Sequence, residues 1–246
     1  MSASSYNMLK ILLVVSIVLL SGSLHAQQTK QSIDYLNIDL GVGSYRGTFS
    51  ASILRDWRFG AKQRFGVGLG VRFTSFVGAN LHYITAPAKL TSGSVGPLII
   101  FKENLTKNID SLLIKSPQVN CFNLMINLDY KISSKLVAGF NIDAIGFSFG
   151  GNRRANYMNG AAGKNTTAGP TPFNILVISD NDRGTLNSEL YVRYFLNEKW
   201  ALKTSMQFIF TEYTTTTKVQ QLPEENDRFR NKSLMLSLGA SYKLSN

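Results

Sequence analysis

Eight segments of this 246-residue chain alternate apolar and polar residues with a period of two. That period is typical of β-strands with one apolar face, because successive side chains point to opposite sides of a strand. The last segment is the most regular, with Leu234, Leu236, Leu238, Ala240, Tyr242 and Leu244 at every second position. The eight predicted strands cover residues 36–43, 49–54, 65–74, 121–130, 136–144, 186–194, 200–210 and 234–244.

The connectors between these strands indicate how the strands are arranged. Most predicted strands approach roughly 10 residues, which suits a tilted membrane crossing, whereas strands of soluble sandwiches run about 5 or 6. Short connectors lie at 45–47, 59–64, 131–135 and 197–199, and long ones at 78–118, 151–184 and 214–232. Short periplasmic turns and long outer loops are typical of transmembrane β-barrels.

Unpaired strand edges in hydrocarbon cost several kcal/mol for each backbone group, so such strands must close into a ring. The sequence therefore predicts an all-β fold, a closed antiparallel transmembrane β-barrel of eight strands with both termini on the periplasmic side. The alternative has ten strands, with 97–102 and 111–115 as an extra hairpin.

The N-terminus has the order of a secretory signal peptide. Lys10 precedes the apolar run 11–20, and small residues follow up to Ala26. This order predicts a cleaved signal peptide over 1–26 and a single outer-membrane barrel domain over 27–246. A lasting membrane anchor is the alternative, but the apolar run is short for a helix that spans about 30 Å of hydrocarbon. Later residues contain no run of about 18 apolar residues, which excludes a helical membrane protein.

The cysteine content limits the disulfide bonds that the chain can form, and its charge limits the molecules that it can bind. Cys121 is the only cysteine, so an intramolecular disulfide is impossible. The formal net charge is +11, spread along the chain without a basic block. An exported chain has no access to nucleic acid, whereas anionic headgroups at a membrane surface suit such a charge.

Three glycines recur at every second position in the segment RFGVGLGVRF, residues 64–73. A phosphate-binding glycine loop requires a strand-to-helix turn, with the anion at the helix N-terminus. Here the alternation continues through Phe73 instead. We therefore expect Gly66, Gly68 and Gly70 to face a crowded barrel interior, and we predict no nucleotide site.

The polar faces of the strands predict what lies inside the barrel. Eight strands leave room only for side chains, so acids and bases there must pair or lose their charge. The interpretation is a salt-bridged interior, and the alternative is a narrow ion path. Asp129 and Asp143 lie on neighbouring strands, which does not make them an acid–base pair. The predicted lumen network contains Asp39, Arg72, Asp129, Asp143, Glu189, Arg193, Lys203 and Lys243.

The long outer connectors carry the residues predicted to contact partners. Their cations suit the phosphates of lipopolysaccharide or a partner protein, with simple solvation as the alternative. These cations are Arg153, Arg154, Lys164, Arg183, Arg228 and Arg230. The apolar segments 97–101 and 175–178 predict either strand extensions above the membrane or an edge that binds a partner.

The sequence predicts no catalytic, cofactor or metal site. The mature chain has one histidine, His82, without a serine partner in the local sequence. Cys121 requires a basic neighbour to act as a nucleophile, and a packed or rim thiol is the simpler interpretation. No histidine, cysteine or carboxylate cluster has metal-ligand spacing.

The C-terminal segment Ser237–Leu244 has a polar residue, a glycine two positions later and two hydrophobic residues two apart. It resembles the β-signal of small outer-membrane β-barrels of the OmpA and OmpX type, especially the porin-family barrels of Bacteroidota, although no terminal aromatic residue follows. The resemblance implies recognition by the outer-membrane assembly machinery through Gly239, Tyr242 and Leu244, and an outer-membrane location among lipid and lipopolysaccharide.

These observations predict a non-enzymatic barrel with a filled lumen and a structural or interaction role through its outer loops. The alternatives are a narrow channel or transport barrel, an accessory barrel of a secretion or assembly machine, and a lipid-modifying outer-membrane enzyme.

Overall fold

The computed structural model describes residues 32–93, 103–159, 164–177 and 181–244. The predicted signal peptide and the apolar segment 97–101, with half of the alternative hairpin, lie outside these residues. The described residues form one sheet of thirteen strands, and each measured pairing is antiparallel. The prediction of an all-β antiparallel fold is confirmed, but the described residues contain thirteen strands in total, where eight or ten were predicted. Within the described ranges, no helix has the length and apolar character needed to span a membrane.

The strands fall into a long and a short set. The long strands are β1 (Ser32–Gly43), β2 (Arg46–Phe59), β3 (Phe65–Gly78), β6 (Gln118–Lys131), β7 (Leu136–Phe149), β11 (Leu186–Phe195), β12 (Trp200–Thr215) and β13 (Arg228–Lys243). The short strands are β4 (Leu81–Thr85), β5 (Ser111–Ile114), β8 (Arg153–Tyr157), β9 (Lys164–Pro170) and β10 (Phe173–Ile175). Helix α1 (Ala88–Ser92) and a 3-10 turn at Thr106–Asn108 lie between β4 and β5.

The long strands pair in a closed cycle that we call the lower ring. The order is β1, β2, β3, β6, β7, β11, β12 and β13, and β13 pairs back onto β1. The register between β6 and β7 shifts at Leu124 and Met125, which leaves Ala144 as an extra residue in β7. Such a bulge moves the following residues of the strand to the opposite face.

A second closed cycle, the upper ring, uses β12 and β13 again. Their outer ends pair with β9 and β4, and the cycle is completed through β5 and β8. The wall therefore narrows from eight strands to six where the β1–β2 hairpin ends. The additional strands occupy connectors that the sequence analysis assigned to loops. With four or five residues each, β4, β5 and β8 are too short to show a recognisable period.

The lower ring has an apolar outer face and a polar inner face. Leu236 and Leu238 are 68% and 71% exposed, and their cross-strand neighbours Val42 and Leu40 are 67% and 61% exposed. Exposed apolar residues on neighbouring strands thus form one continuous outer band. The inward residues are buried and mostly polar or charged. This distribution is the reverse of that in a water-soluble sheet.

The main hydrophobic core lies in the upper ring. Each of its six strands contributes at least one buried side chain to a single apolar cluster. Strand residues of this cluster include Tyr83, Leu112, Ala155, Ala168, Tyr213 and Phe229. The upper ring is therefore packed like a soluble domain, whereas the lower ring is not.

The glycines of the segment 64–73 lie in β3, on the face that points into the lower ring. A Cβ atom on Gly70 would lie 3.0 Å from the Met125 side chain and 3.2 Å from the Cα of Leu54. Because a real Cβ rarely comes so close to main-chain atoms, this position requires glycine. The strand continues to Gly78 without a helix, so the geometry of a phosphate-binding loop is missing from this segment.

We expect Gly70→Ala to lower the free energy of unfolding by about 1–3 kcal/mol, because the added methyl group meets packed neighbours. Gly151→Ala is the matched control, since nothing lies within 4 Å of a Cβ at Gly151. Urea unfolding in detergent micelles, followed by tryptophan fluorescence, measures both. Equal effects of the two substitutions would contradict close packing at Gly70.

Candidate functional site

The interior of the lower ring holds nine buried carboxylate, arginine and lysine side chains. Five are carboxylates and four are bases, so the formal charge of the set is one negative charge if all are ionised. The carboxylates are Asp39, Asp56, Asp129, Asp143 and Glu189, and the bases are Arg58, Arg72, Arg193 and Lys203.

Five of these residues form a chain of alternating charge across the lumen. Lys203 Nζ lies 3.0 Å from an Asp39 oxygen and 2.6 Å from a Glu189 oxygen. On the other side of Glu189, the Arg72 guanidinium lies 3.6 Å away and also contacts Asp143 at 2.6 Å. The chain links β1, β12, β11, β3 and β7. It therefore ties together walls of the ring that are not adjacent.

Amide groups donate hydrogen bonds to two of the three carboxylates in this chain. Asn141 donates to Glu189 at 3.0 Å, and Asn123 donates to Asp143 at 2.7 Å. The main-chain N–H of Asn187 donates to the same Asp143 oxygen, Oδ2, at 3.0 Å. Buried charges are tolerated when such hydrogen bonds accompany the ion pairs.

A second cluster lies nearer the short turns. The Arg58 guanidinium contacts both Asp56 and Asp129 at 2.6 Å. The sequence analysis missed Asp56 and Arg58 because it ended the second strand at residue 54. The alternation of apolar and polar residues ends there, because the apolar Leu54 faces the interior whereas the charged Arg55 faces outward and is exposed. Strand parity counted from Ser50 and Ser52 would have found both residues.

Arg193 and Lys243 complete the predicted lumen set. Arg193 donates to Ser241 at 3.1 Å, and its guanidinium lies 4.2 Å from the centre of the Tyr35 ring. It is thus held by a hydroxyl and an aromatic face. Lys243 is half-buried at the lower rim and joins no ion pair with a residue that the structure describes. The structure does not bring it into the network.

Above the charged chain, the upper ring encloses an apolar cluster. The rings of Tyr83 and Tyr213 pack with centres 5.2 Å apart inside the upper ring. The Tyr83 hydroxyl lies 3.1 Å from the hydroxyl of Thr211, and burial raises the pKa of Tyr83. The hydroxyl therefore stays protonated at neutral pH.

Two of the predicted outer cations, Arg228 and Arg230, are paired with a buried carboxylate. Glu212 is fully buried and binds Arg228 at 2.8 Å and Arg230 at 3.0 Å. Arg230 is 2% exposed and also donates to the main-chain oxygen of Asp182. The cross-strand register of β12 and β13 places Glu212 opposite Arg230. Both side chains are therefore paired with a carboxylate, and Arg230 is buried as well; binding of lipopolysaccharide by these two cations stays a prediction.

The other predicted cations occupy different surroundings. Arg153 donates to Gln118 at 2.8 Å, so it supports the wall. Arg183 is exposed, and its main chain pairs with Ile175. Residues 173–175 form β10, which pairs with the upper part of β7. The first residue of the apolar segment 175–178 therefore belongs to a strand extension, and residue 178 lies outside the described residues.

Arg154 and Lys164 are exposed, and both line a concavity of about 890 Å³ on the outward face of the upper ring. Lys115 lines it as well. The sequence analysis missed Lys115 because it stands alone in the sequence, at the end of β5. Its proximity to the other two cations depends on the pairing of β5 with β8.

His82 has a serine neighbour after all. Its Nδ1 lies 3.2 Å from the Ser111 hydroxyl, across the exposed face of β4 and β5. A hydrolytic triad also needs an acid that orients the histidine. Asp110, the acid beside Ser111, instead accepts hydrogen bonds from Tyr157 and Asn159. The pair therefore lacks the third member of a triad.

Cys121 is 1% exposed, and its sulfur contacts the Asn123 amide at 3.5 Å. It is a packed thiol. Within the part of the chain that the structure describes, no group of three or more histidine, cysteine or acidic residues is placed to hold a metal ion.

The proposed assembly-signal residues lie on β13 or directly after it. Gly239 and Tyr242 pair with Asp39 and Leu36 of β1. The main-chain N–H of Leu244 donates to Asp34 at 2.8 Å. The C-terminal strand therefore closes the lower ring against the first strand.

No protein-family model matches this chain, and no curated protein matches it. Among solved structures, the chain is similar to Neisserial surface protein A. The TM-score is 0.35, the sequence identity is 12%, and the alignment covers 87% of this chain and 96% of that protein. A major outer membrane protein from Thermus thermophilus has a TM-score of 0.35, 11% identity, and coverage of 87% and 99%. The attachment invasion locus protein Ail of Yersinia pestis, solved with the heparin analogue sucrose octasulfate, has a TM-score of 0.35, 7% identity, and coverage of 87% and 99%.

Proposed function

We propose that this protein is a non-enzymatic, non-conducting β-barrel of a bacterial outer membrane, exported with removal of residues 1–26. The lower ring crosses the bilayer with eight strands, as in small barrels of the OmpA and OmpX type. The upper ring stands outside as an interaction module. The observation that carries this proposal is the outward apolar band around a charged interior.

The size of the band suits a membrane. The strands of the lower ring have 10 to 16 residues, and a tilted strand needs about 9–11 residues to cross a bilayer. Soluble monomers rarely expose apolar patches of more than a few hundred Å². Here exposed apolar side chains occur on all eight strands, so water is an unsuitable solvent for this surface.

Aromatic pairs support the position of the lower membrane edge. The Trp200 and Tyr242 rings lie 4.7 Å apart, and the Phe65 and Tyr130 rings lie 5.6 Å apart. All four lie near the short turns, where aromatic side chains favour the headgroup region. The short turns then face the periplasm, and the upper ring faces outward.

The interior supports a barrel that does not conduct. Five alternating charges cross the lumen, and the apolar core of the upper ring lies above them. A channel needs a continuous polar path, whereas an apolar core offers an ion no replacement for its hydration shell. The functional surface is then the outside of the upper ring. Recognition of β13 by the assembly machinery, through Gly239, Tyr242 and Leu244, accompanies this role.

We expect the purified, refolded barrel to give a flat current trace in planar lipid bilayers, because both the charged chain and the apolar core obstruct the lumen. Insertion is verified separately, by protection of the lower ring from protease and by the shift in gel mobility between unheated and heated samples.

Discrete current steps from a sample that passes the insertion test would overturn the non-conducting part of the proposal. Equal mobility of unheated and heated samples, together with release of the protein from membranes by carbonate, would overturn the membrane location itself.

A further inference from the structure

The concavity on the upper ring is a site that the barrel scaffold does not require. It has a volume of about 890 Å³ and lies on β5, β8 and β9, at the outward face. That volume falls in the range of about 300–1,000 Å³ that ligand sites occupy. The side chains relevant to binding are those of Lys115, Arg154, Asn156, Lys164, Thr167 and Thr216.

The cations in this concavity face no counter-charge among the described residues. Lys115, Arg154 and Lys164 form neither an ion pair nor a side-chain hydrogen bond with the described part of the protein, and no carboxylate lines the concavity. By contrast, the neighbouring Arg153 binds Gln118, and Arg228 binds Glu212. Three positive charges around one hollow repel one another until an anion neutralises them.

The remaining groups suit a sugar. The hydroxyls of Thr167 and Thr216 lie 3.2 Å apart at the wall. Asn156 contributes a side-chain oxygen that accepts no hydrogen bond from a described residue. Hydroxyl and amide groups bind sugar hydroxyls, whereas arginine and lysine bind phosphate or sulfate oxygens.

We propose that this concavity binds a saccharide that carries phosphate or sulfate groups. Arg154 binds one oxyanion with two parallel N–H donors, Lys115 and Lys164 neutralise further charge, and the threonine and asparagine side chains bind the sugar hydroxyls. The inference rests on the proposed function, because it takes the upper ring as the exposed interaction module. The same chemistry occurs in the lipopolysaccharide of the same membrane and in soluble polysaccharides.

The test uses the full mature chain in zwitterionic detergent and fructose 1,6-bisphosphate as the probe, with fructose as the uncharged comparison. We expect isothermal titration calorimetry to detect the bisphosphate but not fructose, with affinity that falls as ionic strength rises. The triple variant Lys115→Gln, Arg154→Gln, Lys164→Gln should weaken this binding by roughly tenfold or more.

The matched control is the triple variant Lys62→Gln, Lys135→Gln, Lys199→Gln. It removes the same charge from exposed lysines at the short turns, on the opposite end of the barrel. Equal losses in the two variants would mean that net charge alone attracts the probe, and would overturn the site. Absence of binding to the wild-type protein would overturn it as well.

Competition identifies the source of the ligand. Displacement of the probe by deacylated lipopolysaccharide assigns the site to the same membrane, whereas displacement by a soluble sulfated polysaccharide alone assigns it to a soluble glycan. Both results support the site. Because binding is measured in detergent and insertion without any ligand, failure of this inference and failure of the proposed function are distinguishable.

Discussion

Arg72→Ala should lower the free energy of unfolding by about 3–5 kcal/mol, the cost of leaving buried carboxylates without their counter-charge. Arg72 is 2% exposed and touches Asp143 at 2.6 Å, Glu189 at 3.6 Å and the Asn141 side chain at 2.7 Å. Its removal leaves Asp143 without a base within salt-bridge distance. Urea unfolding in micelles measures the loss.

The matched control for this prediction is Arg55→Ala. Arg55 also forms an arginine–aspartate pair, with Asp34 at 2.8 Å, but its side chain is 59% exposed. Exposed ion pairs contribute about 0–1 kcal/mol, so the control should change stability little. If both substitutions cost the same, the lumen of the folded barrel is well hydrated and the chain of charges does not brace it.

Leu238→Arg should make folding into lipid less favourable by about 2–4 kcal/mol, the cost of an arginine on the lipid face near the bilayer midplane. Leu238 is 71% exposed, and it is the middle one of the outward-facing apolar residues of segment 234–242 on β13. Folding into phospholipid vesicles at different urea concentrations measures the change.

Leu222→Arg provides the comparison. Leu222 is 80% exposed, and it lies in the connector between β12 and β13, above the lower ring. A surface substitution there should change stability by less than about 0.5 kcal/mol. In a water-soluble barrel both exposed leucines would tolerate arginine, so equal and small effects would exclude lipid as the solvent of the outer band.

The two rings share two strands but are stabilised by different interactions. Strands β12 and β13 belong to both rings. A ligand bound to the upper ring is therefore held on strands that continue into the lower ring. The lower ring lacks a large apolar core, and its charged chain links non-adjacent strands instead. The upper ring is stabilised by apolar packing. Together these features favour a rigid platform over a flexible set of loops.

The alternation in the sequence predicted the strands of the lower ring well where one face meets a uniform solvent. The last strand is an example, since every second residue of 234–244 is apolar and the segment lies in or directly after β13. Where the strand departs from this rule, the prediction stopped early. The fifth predicted strand ended at Ala144, the bulge residue, although β7 continues to Phe149.

The candidate site was only partly predictable. Strand parity alone placed Asp39, Glu189 and Lys203 inside the barrel, because the direction of a side chain follows from local backbone geometry. Their pairing was not predictable. Lys203 and Asp39 are 164 residues apart, and their contact depends on ring closure and on the registers of β11, β12, β13 and β1.

The sequence by itself determined that the chain is an antiparallel β-structure with one apolar and one polar face, because a period of two is a property of each strand alone. The upper ring, the burial of Arg230 against Glu212 and the meeting of Lys115 with Arg154 were decided only by the tertiary structure. Short strands gain their stability from neighbours that are distant in sequence, and a local pattern does not specify which neighbours those are.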